Sequence, residues 1–424
     1  MNQDTRTAAE HIRESFLVFG APRIEQAEIE EVVDSLTSGW LGTGPKVARF
    51  ERAFAAYKGV RHVAALNSCT AALHVSILAA GLQPGDEIIT TPLTFCATIN
   101  AIVHAGAVPV LADVDPQTMN IDPNEIERRL TPRTRAILPV HFAGRPCDMD
   151  AIGDIARRQN LTLIEDCAHA VEAEYRGRKT GTFGDFGCFS FYATKNVVTG
   201  EGGMVITRRK EDAARVSMLG LHGLSRDAWQ RFSADGYRHY EVVACGFKYN
   251  MTDLQAALGI HQLARVEDNW ARRAEIWRAY NEGLCGLPIH LPPAADAHTR
   301  HGYHLYTILI DPLQCNTSRD AFLNAMTARG IGVGVHYLSV PEHSYYQRAM
   351  GWKPEQYPNA MRIGRQTVSL PLSARLTDDD VADVVHAATN TLAGLSGTNH
   401  SAPLQLCTEV DTASLSVPID GAQS

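Results

Sequence analysis

A chain of 424 residues that is 45% hydrophobic and 20% charged can bury one large core and a second, smaller one, which predicts two domains. Its formal net charge of -8 gives no electrostatic support to a nucleic-acid partner or an anionic membrane surface. The N-terminal segment Met1-Asn2-Gln3-Asp4-Thr5-Arg6 is polar, no run is apolar for long enough to cross a bilayer, and the expected location is the cytoplasm.

In chain order, Ile29, Val32, Val33 and Leu36 fall at helical spacing before Gly39, and a second helix follows Pro45 with Val47, Phe50, Phe54 and Tyr57 on one face. The glycine-rich stretch 39–45 between them has neither phosphate-loop spacing and reads as an interhelical turn or a loop touching substrate. From His62 the pattern becomes regular. Strands at 62–66, 87–90, 108–112, 136–140 and 161–165 alternate with helices at 70–80, 95–104, 123–130 and 149–158. Short apolar strands alternating with helices predict an α/β fold, a mainly parallel sheet covered by helices, with ligands beyond the carboxyl ends of the strands.

That rule singles out a few places. Asn67-Ser68-Cys69-Thr70 stands where the first strand turns into a helix, so hydroxyls and free backbone N–H groups meet at the positive end of a helix dipole, a natural phosphate cradle or else a plain Ser68 cap. Asp166 ends a strand of apolar character, and a carboxylate carried that deep needs a cation, N–H donors, or a helix to cap. His169 follows three residues later. Lys195 closes the aromatic segment Phe189-Ser190-Phe191-Tyr192-Ala193-Thr194 and precedes Gly200, Gly202 and Gly203. A partly dry pocket would disfavour its ammonium and free the amine as a nucleophile, and the glycines would let backbone pass close to a ligand.

Farther on, a long helix is expected over 252–280, with Leu263, Val266, Trp270 and Trp277 as a core-facing stripe. After it come the proline-rich Leu291-Pro292-Pro293, a strand over 303–310, a helix over 319–329, a strand over 333–336 and a last helix opened by Asp378, Asp379 and Asp380. These place a large domain at residues 1–265, a smaller α/β domain at 266–395 and a polar tail at 396–424. The nine cysteines, with no Cys-x-x-Cys pair, predict reduced thiols, no disulfide framework and no metal site.

A phosphate cradle, an aspartate at a strand end and a serine five residues before a pocket lysine together describe the chemistry of pyridoxal phosphate. In that reading the lysine holds the cofactor as a Schiff base, the aspartate keeps the pyridine nitrogen protonated, and the cradle with Ser190 holds the phosphate.

The sequence also resembles the sugar aminotransferases of the DegT/DnrJ/EryC1/StrS group, of the fold-type-I pyridoxal-phosphate class, over about residues 15–393. The resemblance rests on Gly42-Thr43-Gly44, Asn67-Ser68-Cys69-Thr70-Ala71-Ala72-Leu73, Pro92-Leu93-Thr94-Phe95-Cys96-Ala97-Thr98, Glu165-Asp166-Cys167-Ala168-His169-Ala170, Ser190-Phe191-Tyr192-Ala193-Thr194-Lys195 and Gly246-Phe247-Lys248-Tyr249-Asn250-Met251-Thr252-Asp253. It implies that Lys195 carries the cofactor and shuttles the proton, that Asp166 pairs with the pyridinium, that Phe95 stacks on the ring and that His169 lies near the ring or its 3-hydroxyl. It implies further that Cys69, Thr70 and Ser190 bind phosphate, and that residues 246–253 of one subunit of a homodimer reach the partner's phosphate. Many members have asparagine and arginine in that segment where this chain has Lys248 and Asn250. The implied reaction is amino transfer from glutamate to a nucleotide-linked keto-sugar. A non-catalytic regulator binding cofactor or nucleotide sugar is an alternative reading. Lys195 argues against a sugar dehydratase, since those relatives carry histidine there. A nicotinamide enzyme would need a Gly-x-Gly-x-x-Gly after the first strand, which is absent. His222, Trp229, His336 and Tyr337 are candidates for touching the sugar.

Overall fold

The computed structural model describes residues 12–225 and 240–396. Its strands are β1 (His62–Leu66), β2 (Glu87–Thr90), β3 (Val108–Leu111), β4 (Thr134–Leu138), β5 (Thr162–Asp166), β6 (Glu174–Tyr175), β7 (Arg178–Lys179), β8 (Phe186–Ser190), β9 (Gly203–Thr207), β10 (Thr299–Arg300), β11 (Tyr306–Leu309) and β12 (Thr367–Leu370). Seven form the principal sheet in the order β1-β9-β8-β5-β4-β2-β3. β3, β2, β4, β5 and β8 pair in parallel. β9 pairs antiparallel with both β8 and β1, so it alone runs against the rest. The carboxyl ends of β1, β5 and β8 therefore open on one edge.

Both faces of this sheet are covered, which is why its strands read as nearly continuous apolar runs. On one side the helix Cys69–Ala79 packs with Val205, Cys188, Ile164 and Leu138. On the other, Phe50 and Phe54 of the helix Pro45–Lys58 meet Phe189, Phe191 and Val197, together with Ala256 and Ile260 of the helix Asp253–Ala264. Rings from these segments contact edge to face at 5.0–5.6 Å between centroids, and each fully buried phenylalanine stabilises the fold by about 2–3 kcal/mol. The segment flanking Lys195 is thus anchored by Phe189, Phe191 and Val197 in a rigid core. A second core joins the antiparallel pair β11 and β12 to the helices Val266–Leu284, Arg319–Ala328 and Asp378–Ser396.

Several expectations change. The helix over 252–280 is two helices, Asp253–Ala264 and Val266–Leu284, broken where Arg265 takes φ −104° and ψ 10°. The apolar periodicity runs on through that break, so spacing alone did not reveal it. Residues 333–336 form no strand and make only the isolated bridge Gly334–Ser369. The partner of β11 is instead β12. The helix Gln26–Ser38 forms and stops at Gly39 with φ 77°, but its apolar stripe faces out: Ile29, Val33 and Leu36 are about half exposed, while Glu28 and Ser35 are buried. Glu28 turns inward because Arg265 and Gln262 donate hydrogen bonds to its carboxylate. Among the described residues Cys69, Cys96, Cys147, Cys167, Cys188 and Cys245 carry free thiols, whereas Cys285 is disulfide-bonded, which departs from the expectation of reduced thiols throughout. Residues 397–424, most of the expected tail, lie outside the described residues.

Candidate active site

Asp166 is the last residue of β5 and is buried. Its backbone is fixed on both sides, its N–H donating to Pro139 O at 2.9 Å and its carbonyl accepting from His141 N at 3.1 Å. The carboxylate accepts from Thr98 Oγ1 at 2.9 Å and from Ala168 N at 3.1 Å. Burial pushes its pKa up, against the pull of those two donors and of the Lys195 ammonium. The Cys69 thiol adds a weak donor at 4.0 Å; these neutral donors leave lone pairs unused, and a buried carboxylate so placed has room for one more donor, preferably cationic. A protonated pyridine N–H meets that requirement. Nothing in the sequence marks Thr98 as a site residue, because a hydroxyl in the first turn of a helix (Cys96–His104) carries no chemical signature of its own.

Lys195 lies half-buried beyond β8, its N–H donating to Tyr192 O at 2.8 Å. Burial lowers its ammonium pKa to about 8, with Cys69 and Asp166 acting in the opposite direction. Ser190 closes β8, is buried, and accepts from Tyr192 N at 3.4 Å. Across the edge, Ser68 caps the helix Cys69–Ala79 by accepting from Ala71 N at 3.1 Å. Cys69 and Thr70 occupy the first turn, where the helix itself supplies no acceptor for their N–H groups. A Cβ on Gly203 would stand 2.4 Å from Ser68 O and 2.8 Å from Cys69 N. The glycine at the start of β9 therefore lets that strand press against the cradle's turn, a backbone contact where a ligand contact was expected. The cradle, Asp166, Ser190 and Lys195 all belong to the same edge of the sheet, where Cys69 and Asp166 are near enough to act on the Lys195 ammonium.

His169 is buried, with Nδ1 accepting from Ala143 N at 3.3 Å and Nε2 lying 3.0 Å from Tyr337 Oη. Since Nδ1 accepts, the neutral ring carries its proton on Nε2 and donates to Tyr337. Burial and the nearby Lys195 hold the His169 pKa well below its ordinary value. Tyr337 also faces Phe95, with centroids 5.8 Å apart, and Phe95 itself is 56% exposed, so its ring is free to cover a ligand. His336 bonds Ser369 Oγ through Nδ1 at 2.9 Å and stacks on Phe19. His222 is exposed just after the helix Lys210–Gly220, and Trp229 lies outside the described residues.

Residues 246–253 run beside the cradle of their own chain. Asn67 N donates to Tyr249 O at 2.6 Å and Asn67 Nδ2 to Lys248 O at 3.3 Å. Asn250 Nδ2 donates to Thr43 Oγ1 at 2.7 Å, while the Lys248 side chain is exposed. Asp253 caps the helix Pro45–Lys58, accepting from Gly44 N, Lys46 N and Val47 N at 2.9–3.1 Å. The stretch 39–45 is thus an interhelical turn tied to this segment.

His141, Glu165 and Cys167 lie within ion-sharing distance of one another, but the lone pairs of His141 and Glu165 are engaged. His141 Nδ1 accepts from Cys147 N and its Nε2–H donates to Glu165, which also accepts from Gly181 N and Gly184 N. Burial would raise the Glu165 pKa, yet these hydrogen bonds hold it below its ordinary value. The group braces β5 behind Asp166.

A carboxylate at a strand end, a lysine of lowered pKa and a helix-terminal phosphate cradle on a mainly parallel sheet define a fold-type-I pyridoxal-phosphate transferase. The DegT/DnrJ/EryC1/StrS aminotransferase family matches residues 22–389, and the chain belongs to that family of PLP-dependent sugar aminotransferases. It is 47% identical over 383 residues to the spore coat polysaccharide biosynthesis protein SpsC of Bacillus subtilis, covering 90% of this chain and 98% of SpsC. Among solved structures, the aminotransferase TlmJ from Streptoalloteichus hindustanus superposes with a TM-score of 0.82 at 34% identity, covering 90% of this chain and all of TlmJ (100%). DesI, solved in the presence of its TDP-sugar product, superposes with a TM-score of 0.80 at 32% identity, covering 92% of this chain and 95% of DesI. Among the described residues no helix is long and apolar enough to cross a membrane.

Proposed function

We propose that this enzyme moves an amino group from glutamate to a nucleotide-linked keto-sugar in amino-sugar biosynthesis. The observation that carries the reading is the buried Asp166 carboxylate, with only neutral donors and room for a cation, on the same sheet edge as the lowered-pKa Lys195. The relation to SpsC and DesI supports the sugar as acceptor. When bound, pyridoxal phosphate supplies an electron sink that stabilises negative charge on a substrate carbon.

The chain's own residues do the rest. Asp166 holds a proton on the pyridine nitrogen, the Cys69 and Thr70 N–H groups with Ser190 receive the phosphate, and Phe95 covers one ring face. Lys195, largely neutral above about pH 8, would hold the cofactor and would carry a proton from the donor's Cα. No arginine in the family motifs is marked as a fork for a second carboxylate, and a neutral sugar ring needs none. The test is a panel of half-reactions on the aminated form of the cofactor. Keto-sugar nucleotides should restore the visible band rapidly and 2-oxo acids other than 2-oxoglutarate slowly. Fast return with several 2-oxo acids and none with keto-sugar nucleotides would overturn the substrate class; no half-reaction with any amino acid would favour a non-catalytic binder.

The working unit in this reading is a homodimer with shared sites, each subunit divided into domains at residues 1–265 and 266–395. Its support is the apolar surface formed by Ile29, Val33 and Leu36 and continued by Trp40 and Leu41, all 46–56% exposed, together with the outward-pointing Lys248. Mixing inactive Lys195→Ala subunits with an inactive Lys248→Ala/Asn250→Ala double variant should restore up to about a quarter of wild-type activity, since random pairing places one intact site in half the dimers. Proven subunit exchange without recovery would sink the shared site.

A further inference from the structure

The residue after the cofactor lysine is held more firmly than the lysine itself. The two N–H groups of the Asn196 amide donate to Glu172 Oε2 at 2.9 Å and to Gly302 O at 2.8 Å. Both partners are acceptors, so the amide orientation is determined and Oδ1 is left facing His304 Nδ1 at 2.9 Å. His304 must therefore donate from Nδ1. Its ring lies 4.4 Å from that of His169, at 35°, and His169 continues to Tyr337. Asn196 thus joins the lysine loop to the turn after β5 and to the chain entering β11, and through His304 it reaches the histidine beside the cofactor position.

The other end of this network is costly in isolation. Glu172 pairs with Arg273 of the helix Val266–Leu284, both buried, and Arg273 Nε has no hydrogen-bond partner. A buried ion pair with an unpartnered N–H is a poor source of stability. It does orient Glu172, leaving Oε2 for Asn196. Arg273, Asn196 and the Lys195 loop also line one small cavity with Gln262 and Asn269, so the network borders space into which an unsupported loop could relax.

We propose that Asn196 and His304 are positioning residues for amino transfer: they hold the backbone at Lys195 still while its side chain detaches and returns, and keep the His169 ring neutral and fixed in orientation. The charge state agrees, since burial pushes both His304 and His169 well below the ordinary imidazole range and Lys195 opposes a further cation there. An imidazole anchored only by packing could turn over; one anchored through Nδ1 cannot without stranding the Asn196 carbonyl.

The proposal rests on Lys195 being the cofactor lysine, and the test separates the two. PLP-loaded Asn196→Ala, His304→Phe and His304→Asn proteins are titrated by visible absorbance, with kcat and donor KM measured beside them. Phenylalanine keeps the stack on His169 but removes the donor, whereas asparagine places an amide N–H near where the imidazole Nδ1–H stood. Asn196→Ala and His304→Phe should move the midpoint of the absorbance titration by about half a pH unit or more and lower kcat about tenfold, with donor KM within about twofold. His304→Asn should recover most of both. An unmoved midpoint in folded variants, or loss of kcat without rescue by His304→Asn, would overturn the proposal. If Asn196→Ala does not fold, the two His304 variants decide it. Failure of the lysine assignment looks different: the visible band would then survive in Lys195→Ala.

Discussion

Lys195→Ala should lower amino transfer by about four orders of magnitude or more, because in the proposed mechanism one side chain both attaches the cofactor and moves the proton. The variant should fold, since Lys195 is half-buried and its flanking segment is pinned by Phe189, Phe191 and Val197. Borohydride treatment of the loaded wild type should leave a label on Lys195, found by peptide mass. Loading also has a predictable pH dependence. Only the neutral amine attacks an aldehyde, and burial lowers the Lys195 pKa to about 8, so the rate at which the cofactor-free protein takes up pyridoxal phosphate should rise through about pH 8 and level off above it. A label on another lysine, or uptake still rising as steeply at pH 10 as at pH 8, would contradict the assignment.

Asp166→Asn should separate cofactor binding from turnover. The phosphate cradle and Lys195 remain, so the visible band persists, while turnover falls by about two to three orders of magnitude because nothing holds a proton on the pyridine nitrogen. Stability of the cofactor-free protein should move the other way. Burial raises the folded-state pKa of Asp166, so folding penalises the ionised form. That penalty is fully present above the folded pKa and vanishes as pH falls below the unfolded carboxylate value. At neutral pH the cofactor-free Asp166→Asn protein should therefore melt at or above the wild-type temperature, and the advantage should disappear in acid. Thermal melts at two pH values check this. Near-normal turnover would refute the catalytic role, and a lower melting temperature at neutral pH would refute the account of an uncompensated charge.

The exposed stripe of the first helix shows where pattern reading reaches its limit. Ile29, Val33 and Leu36 have helical spacing and do form a helix, but spacing does not say which face is inward. That was decided by Arg265 and Gln262, more than two hundred residues away, which give Glu28 partners inside. The sequence likewise does not mark β8 and β9 as strands. β9 runs against its neighbours as part of a connection that returns across the sheet, a feature with no local periodicity to mark it.

By itself the sequence determined the α/β class and the placing of Asp166 and the Ser68 turn at strand ends; Ser190 and Lys195 were marked by their aromatic segment, and their place on the same edge came with β8. These follow from local facts: apolar runs of strand length, residues at strand ends, and a cap at a helix start. Tertiary structure alone decided the partners. That Thr98 donates to Asp166, that Tyr337 faces His169, and that Asn196 holds His304 and Glu172 are contacts between residues 24–168 positions apart. Each depends on hydrogen-bonding groups that occur throughout the chain and become specific only when packing leaves them a single acceptor or donor within reach.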